Sequence, residues 1–243
     1  MREPTVWSAA SGRPRLSEPD IHVWRAFLDC GPDLMRQFEA TLSTDEKARS
    51  ERFHFARDRD HFVAARGILR QLLASYTQSS PAELQFNYGA QKKPALRAKN
   101  MPAALRFNLS HSHGLAIFAI SEKRELGIDL ELIQPRFAAD GIAERYFSSR
   151  ELAELRALPP EKTAEGFFLC WTRKEAYVKA HGAGLHIPLD SFDVTLTPGG
   201  PERLCSTDSE RWSLRSFEPA SQYVGAIVGE GKSWRASYWD WTP

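Results

Sequence analysis

Cysteine is scarce in this chain: three in 243 residues, Cys30, Cys170 and Cys205, far apart and with no Cys-x-x-Cys pair. That pattern excludes a zinc ribbon, and isolated thiols in odd number fit a reducing compartment better than a disulfide framework. No stretch approaches the ~20 apolar residues of a membrane span, and Met1 to Leu16 has no apolar signal core. An excess of either charge is missing too. The 32 Lys+Arg and 31 Asp+Glu leave a formal net charge of +1, which predicts attraction neither to nucleic acid nor to membrane. There is no Walker loop, no Gly-x-Gly-x-x-Gly and no Gly-x-Ser-x-Gly. P-loop and Rossmann phosphate sites are thereby excluded, and a serine hydrolase is disfavoured. The absences together predict a soluble, cytoplasmic protein that recognises charged ligands through local clusters.

What is present is ordinary in bulk: 42% hydrophobic and 26% charged residues, with enough length for one large domain or two small ones. The first twenty residues, polar and Pro-rich, are expected to be partly disordered. Ile21 to Leu28 alternates as a strand does. Ser43-Thr-Asp-Glu46 and Ser148-Ser-Arg-Glu151 are capping-box patterns, each opening a helix. A longer helix follows the first, with Phe62, Ala65, Leu69, Leu72, Leu73 and Tyr76 at helical spacing. Short strand-like runs come next, at 84–88, 105–108, 115–121 and 127–133. Pro159-Pro160 ends the helix that Ser148 opens, and another runs from Glu161 to His181, where Gly182 can supply a left-handed cap. Strands at 192–196, 212–217, 223–228 and 234–241 complete the chain. Each half reads as strand, helices, then strands. The expectation is an α+β duplication with halves at 1–125 and 126–243 and a site between them.

The chemistry is expected in two segments. In Leu126-Gly-Ile-Asp-Leu-Glu-Leu-Ile133, strand alternation turns Asp129 and Glu131 to one face, while Ile128, Leu130 and Leu132 point into a core. Alternating acids on a strand are commonly just its solvated face. A third carboxylate, Glu175, lies on the helical stretch Phe168 to Lys179, on the face carrying Phe168, Trp171, Thr172, Val178 and Lys179. A carboxylate among such neighbours is costly unless paired or metal-bound; the ordinary alternative is an i,i+4 ion pair with Lys179. Three carboxylates with room for water suit Mg²⁺, whose usual ligands are carboxylates, water and substrate phosphates. Anion contacts are expected from Ser110 and His111 in Phe107-Asn-Leu-Ser-His-Ser-His113. Further basic candidates are Arg49, Arg52, Arg66, Arg70 and the Lys92-Lys93-Pro94 loop.

Asn108-Leu-Ser-His-Ser112, Gly127-Ile-Asp-Leu-Glu131 and Trp171-Thr-Arg-Lys-Glu-Ala-Tyr-Val-Lys179 resemble, in order and spacing, the three motifs of the surfactin-type (Sfp-type) 4'-phosphopantetheinyl transferases. The likeness extends through Phe53–Asp58, Arg66–Arg70, Lys93-Pro94, Tyr146–Ser148 and Gly182–Leu185, covering roughly Ser43 to Val194. It implies two α+β halves related by a pseudo-twofold, with coenzyme A and Mg²⁺ bound between them. The N-terminal half would carry nucleotide contacts and the C-terminal half the metal and catalytic motifs. The implied reaction moves 4'-phosphopantetheine from coenzyme A to a serine of an apo acyl, peptidyl or aryl carrier protein, releasing adenosine 3',5'-bisphosphate. By position, Asp129, Glu131 and Glu175 would hold Mg²⁺ on the pyrophosphate, with Lys179 meeting that pyrophosphate and Lys174 helping to orient the site. Ser110 and His111 would contact phosphates, Arg49 the 3'-phosphate, and Lys93-Pro94 the adenine end. Glu175 is the candidate base for the serine proton, directly or through metal-bound water.

Two departures stand out. Glu46 stands where some relatives carry lysine, which shifts 3'-phosphate binding toward Arg49 and Arg66, and Lys92 replaces a common glycine. Carrier docking is expected on the 134–147 segment through Pro135, Phe137, Ile142 and Tyr146, and a monomer is expected because both halves lie on one chain. The rival readings are a Mg²⁺-dependent nucleotide phosphodiesterase using the same carboxylates and a non-catalytic coenzyme A or carrier-protein binding module.

Overall fold

The computed structural model describes residues 5–10, 14–88, 93–97, 105–135, 140–182 and 187–243. In the first half β1 (Ser8–Ala9) and β2 (Asp20–Phe27) precede α1 (Pro32–Thr41), α2 (Thr44–Ser50) and α3 (Ala56–Thr77). The short hairpin β3 (Phe86–Tyr88) and β4 (Pro94–Leu96) follows, then β5 (Arg106–Ser112) and β6 (Leu115–Ser121). The second half runs through β7 (Leu126–Leu132), α4 (Asp140–Tyr146), α5 (Ser149–Arg156) and α6 (Pro160–His181). It ends with the small pair β8 (Asp193–Val194) and β9 (Leu204–Cys205), then β10 (Trp212–Phe217), β11 (Tyr223–Glu230) and β12 (Arg235–Asp240). No described helix is long and apolar enough to cross a membrane.

Two sheets carry the architecture. One has the order β1-β12-β2-β6-β5, the other β10-β11-β7. Helices α1 and α3 pack against the first sheet over a core that includes Phe38, Phe62, Ile68, Leu69 and Phe118. Helix α6 packs on the second over Phe168, Leu169, Tyr177, Trp212 and Val228. A third apolar cluster, with Val23, Ile117, Ile128, Leu130, Ile227 and Trp234, joins the sheets to each other. The halves are therefore continuous through a buried seam.

The duplication shows most clearly in polar groups. Each capping-box glutamate is drawn inside: Glu46 is 1% and Glu151 0% exposed. Glu46 pairs with Arg70 of α3 at 2.7 Å, and Glu151 with Lys174 of α6 at 2.8 Å. Both cations lie at the same distance from the end of a 22-residue helix. Each also donates to carbonyls around a single 3-10 turn: Arg70 to Pro81 and Leu84, Lys174 to Leu189 and Phe192. A buried charge survives folding only when paired and hydrogen-bonded, and the same solution is used in both halves.

The structure departs from the sequence reading at several elements. Ser8 and Ala9, expected to be partly disordered, pair in parallel with Trp239 and Asp240; Trp7 packs edge-on against Tyr238. The strand expected at 192–196 contracts to two residues, and that at 84–88 to three. The division at 125/126 falls between β6 and β7, yet β12 crosses back to pair in parallel with β2, so the first sheet takes its inner strand from the end of the chain.

Candidate active site

The site forms where β5, the edge of the first sheet, faces β7, the edge of the second. Hydrogen bonds between side chains bridge them in register. Ser110 Oγ donates to Asp129 Oδ1 at 2.7 Å, and Ser112 Oγ to Glu131 Oε2 at 2.7 Å. Asn108 Oδ1 accepts the Ile128 amide at 2.9 Å. The period of two in Asn108-Leu-Ser-His-Ser112 thus matches the period of two in Asp129-Leu-Glu131. The sequence motifs alone do not set Ser112 and Asn108 apart as site residues, although this shared period is the signal that could. Ile128 and Leu130 are fully buried, as the alternation requires, while Leu132 is half-buried.

Helix α6 closes the other side because of Gly127. A Cβ there would lie 2.1 Å from the Ala176 carbonyl oxygen and 2.2 Å from the Ala180 nitrogen. Glycine alone permits so close an approach of strand to helix, and it brings Lys179 onto Asp129. Lys179 Nζ lies 2.6 Å from Asp129 Oδ1 and 3.2 Å from Ser110 Oγ. The helix-internal pairing open to Glu175 and Lys179 gives way to this contact across elements. Asp129 is 3% exposed, and its other oxygen, Oδ2, is buried with no hydrogen-bond partner.

The two glutamates are tuned by enclosure. Burial pushes the Glu131 carboxyl up to about 7; Asp129 and Glu175 add to the rise, and Ser112 and Lys179 oppose it. Glu175 is raised by burial and then by Asp129, with Lys179 opposing. A cation beside these carboxylates would relieve both shifts. Among the described residues no three acidic, histidine or cysteine side chains converge as a ready-made metal cluster. Mg²⁺ does not require one, since it binds through one or two carboxylates together with water and substrate phosphates. The orphaned Asp129 oxygen and the raised Glu131 and Glu175 carboxyls fit such an ion.

Next to the carboxylates lies a cleft of about 260 Å³ lined by Arg49, Phe62, Arg66, Pro94, Ser110, His111 and Lys179, with Ala65 and Leu109. Arg49 also borders a neighbouring hollow with Glu46, Arg52, Phe53 and Tyr88. Arg66 is 5% exposed. Its Nη1 has no hydrogen-bond partner, and its Nε stands 3.6 Å from Glu46. The Arg49 guanidinium lies over the Phe62 ring. His111 keeps an exposed face, but enclosure of its ring in the cleft, then the charges of Lys179, His61 and Arg49, lower its pKa. A larger cavity, about 710 Å³, lies elsewhere, against Glu165, Leu169, Val224 and Tyr238, and touches none of the expected site residues.

Two expectations are corrected. Lys174 lies outside the cleft: it is 0% exposed, and its ammonium is engaged by Glu151, Leu189 and Phe192. The Lys93 ammonium bonds the carbonyls of Leu126 and Lys179, so of the Lys93-Pro94 pair only Pro94 lines the cleft. Of the docking segment, Ile142 is 36% exposed and Tyr146 packs edge-on against Trp171. Phe137, Lys92 and residues 183–186 lie outside the described residues.

Cationic side chains of the first half thus stand beside the carboxylates of the second, an arrangement suited to an anionic ligand. The comparisons with known proteins make the class specific. Residues 125–228 match the 4'-phosphopantetheinyl transferase superfamily, and residues 32–123 match the family described as 4'-phosphopantetheinyl transferase, N-terminal. The chain is 38% identical to the 4'-phosphopantetheinyl transferase HetI of Nostoc sp. over 96% of its own length and 98% of the relative's. It is 28% identical to the 4'-phosphopantetheinyl transferase Sfp of Bacillus subtilis over 79% of this chain and 83% of that one. Among solved structures, a holo-(acyl-carrier-protein) synthase from Bacillus anthracis in complex with CoA (3',5'-ADP) matches at a TM-score of 0.34 and 21% identity, over 44% of this chain and 96% of that one. The chain belongs to the 4'-phosphopantetheinyl transferase superfamily and is an enzyme of that kind.

Proposed function

We propose that the donor is coenzyme A, that the acceptor is a serine of an apo acyl, peptidyl or aryl carrier protein, and that the reaction depends on Mg²⁺. The observation that carries this reading is the buried, unpartnered oxygen of Asp129 beside Lys179 at the edge of a basic cleft. A di-anionic pyrophosphate suits that juxtaposition, with cations for its oxygens and carboxylates for a counter-ion.

Arg49 and Arg66 take the phosphate at the nucleotide end, where a buried guanidinium with an open donor is already available. Ser110 and His111 contact the pyrophosphate as hydrogen-bond donors. Of the three expected carboxylates, Asp129 and Glu131 would hold Mg²⁺ together with water and donor phosphate, and the ion when bound neutralises pyrophosphate charge. The serine Oγ attacks the β-phosphorus while the bond from that phosphorus to the bridging oxygen breaks. Adenosine 3',5'-bisphosphate leaves with that oxygen. The serine proton passes to Glu175, the carboxylate left free of the ion. Lys179 stands where negative charge grows on the pyrophosphate oxygens, and a preorganised ammonium stabilises that charge without reorganisation. Three free thiols, Cys30, Cys170 and Cys205, suit a reducing cytoplasm, and both halves of the site come from one chain, as a monomeric enzyme requires.

The test is intact-mass analysis of an apo carrier protein incubated with this protein, coenzyme A and Mg²⁺. A gain of one phosphopantetheine, blocked by EDTA, is the expected result. Breakdown of coenzyme A with no gain on any carrier would instead indicate a phosphodiesterase.

A further inference from the structure

Lys93 enters the second half of the molecule from a loop of the first. Its ammonium donates at 3.0 Å to the carbonyl of Leu126, the first residue of β7, and at 2.8 Å to the carbonyl of Lys179. Lys179 is one of the last four residues of α6, whose carbonyls have no partner within the helix. Its oxygen is otherwise met only by the Gly182 amide among the described contacts, at 3.2 Å. A cation also suits the negative end of a helix. The two carbonyls bound by Lys93 flank Gly127, where the backbones of β7 and α6 come closest. The nearest acid, Glu125, is 3.9 Å away, so the backbone oxygens are the stronger partners.

We infer that Lys93 is a positioning residue: by bridging the start of β7 to the end of α6, it holds Lys179 on Asp129. The inference rests on the proposed reaction for its kinetic consequence only. Lys93 directly precedes Pro94, which lines the cleft. The same short segment therefore supplies one wall of the donor site and fixes the catalytic lysine of the other half. Its ammonium has no role on the donor, being turned into the junction.

Two variants separate this from a donor-binding role. Lys93→Met keeps the aliphatic stem and removes the donors; Lys93→Arg restores a cation able to reach two carbonyls. For Lys93→Met, kcat should fall about 10-fold, while KM for coenzyme A and the Kd for 3',5'-ADP stay within about 2-fold. Lys93→Arg should recover most of kcat. Hydrogen exchange of the amides at 176–182 should quicken about 10-fold in Lys93→Met, because the junction opens locally more often. A 10-fold rise in the Kd for 3',5'-ADP with kcat unchanged would overturn the inference, as would unaltered exchange at 176–182. If the wild-type protein modifies no carrier, the proposed function fails, whereas the exchange measurement still decides whether Lys93 holds the junction.

Discussion

At the scale of single residues, the site is governed by incomplete satisfaction. Asp129 has one oxygen committed to Lys179 and Ser110 and one buried without a partner. Asp129→Asn keeps the shape and removes the charge. We expect it to lower kcat by at least about 10²-fold, the scale of losing one preorganised electrostatic contact, with an unchanged circular dichroism spectrum. Turnover near wild type, read by carrier-protein mass, would remove Asp129 from the machinery. Arg66 is the complementary case, a buried guanidinium with an open Nη1. Arg66→Met should raise KM for coenzyme A by about 10-fold or more, the equivalent of one lost charge-assisted hydrogen bond. The kcat should stay within about 3-fold. A fall in kcat alone would place Arg66 on the transition state instead of the donor. Glu46, the departure noted in the sequence, is committed to Arg70 and to the amide of Ser43. A glutamate therefore performs a structural task at this position, and in the proposed reaction phosphate recognition falls to the arginines beside it.

At the scale of elements, most of the fold was legible because its signals are local. Both capping boxes form as read, with Glu46 and Glu151 at the third helical position. Gly182 adopts a φ of 67° at the end of α6, the left-handed conformation that favours glycine. What the pattern could not reveal was the partner of each element. Lys174 sits in a motif dense with candidate site residues, yet its side chain turns to Glu151 on the preceding helix. Gly127 likewise reads as a gap in a strand until α6 is laid over it. Gly127→Ala drives a methyl into two backbone atoms that cannot rotate away. We expect destabilisation of about 3 kcal/mol or more, together with loss of transfer, measured by urea unfolding and by carrier mass. Wild-type stability would mean that strand and helix separate without cost.

At the scale of the whole molecule, the last strand and the pH response belong to packing between distant segments. β12 pairs with β2 from the opposite end of the chain, beside His22, which is 3% exposed and lies 2.7 Å from the Tyr76 hydroxyl. Burial lowers the His22 pKa to about 4, with Asp20 opposing. Between pH 4 and 6.5 the unfolded chain therefore binds the proton that the folded chain refuses. Its contribution to stability is complete above pH 6.5 and is lost as pH falls toward 4. From pH 7 to pH 5 the wild type should lose about 2 kcal/mol more than His22→Asn in urea unfolding. Equal losses would show that His22 titrates normally in the folded protein.

The sequence by itself determined most of the secondary elements, the α+β class, and the carboxylate, lysine and arginine candidates, because caps, periodicity and short motifs act over a few residues. Tertiary structure alone decided which of those candidates share a cleft. The β5–β7 register aligns Ser110 and Ser112 with Asp129 and Glu131, and the close approach at Gly127 brings Lys179 to them. Lys93 and Lys174 look like ligands in the chain, but unsatisfied carbonyls and a buried carboxylate claim their ammonium groups. A buried cation goes to the partners that packing brings within reach, and no spacing along the chain specifies those.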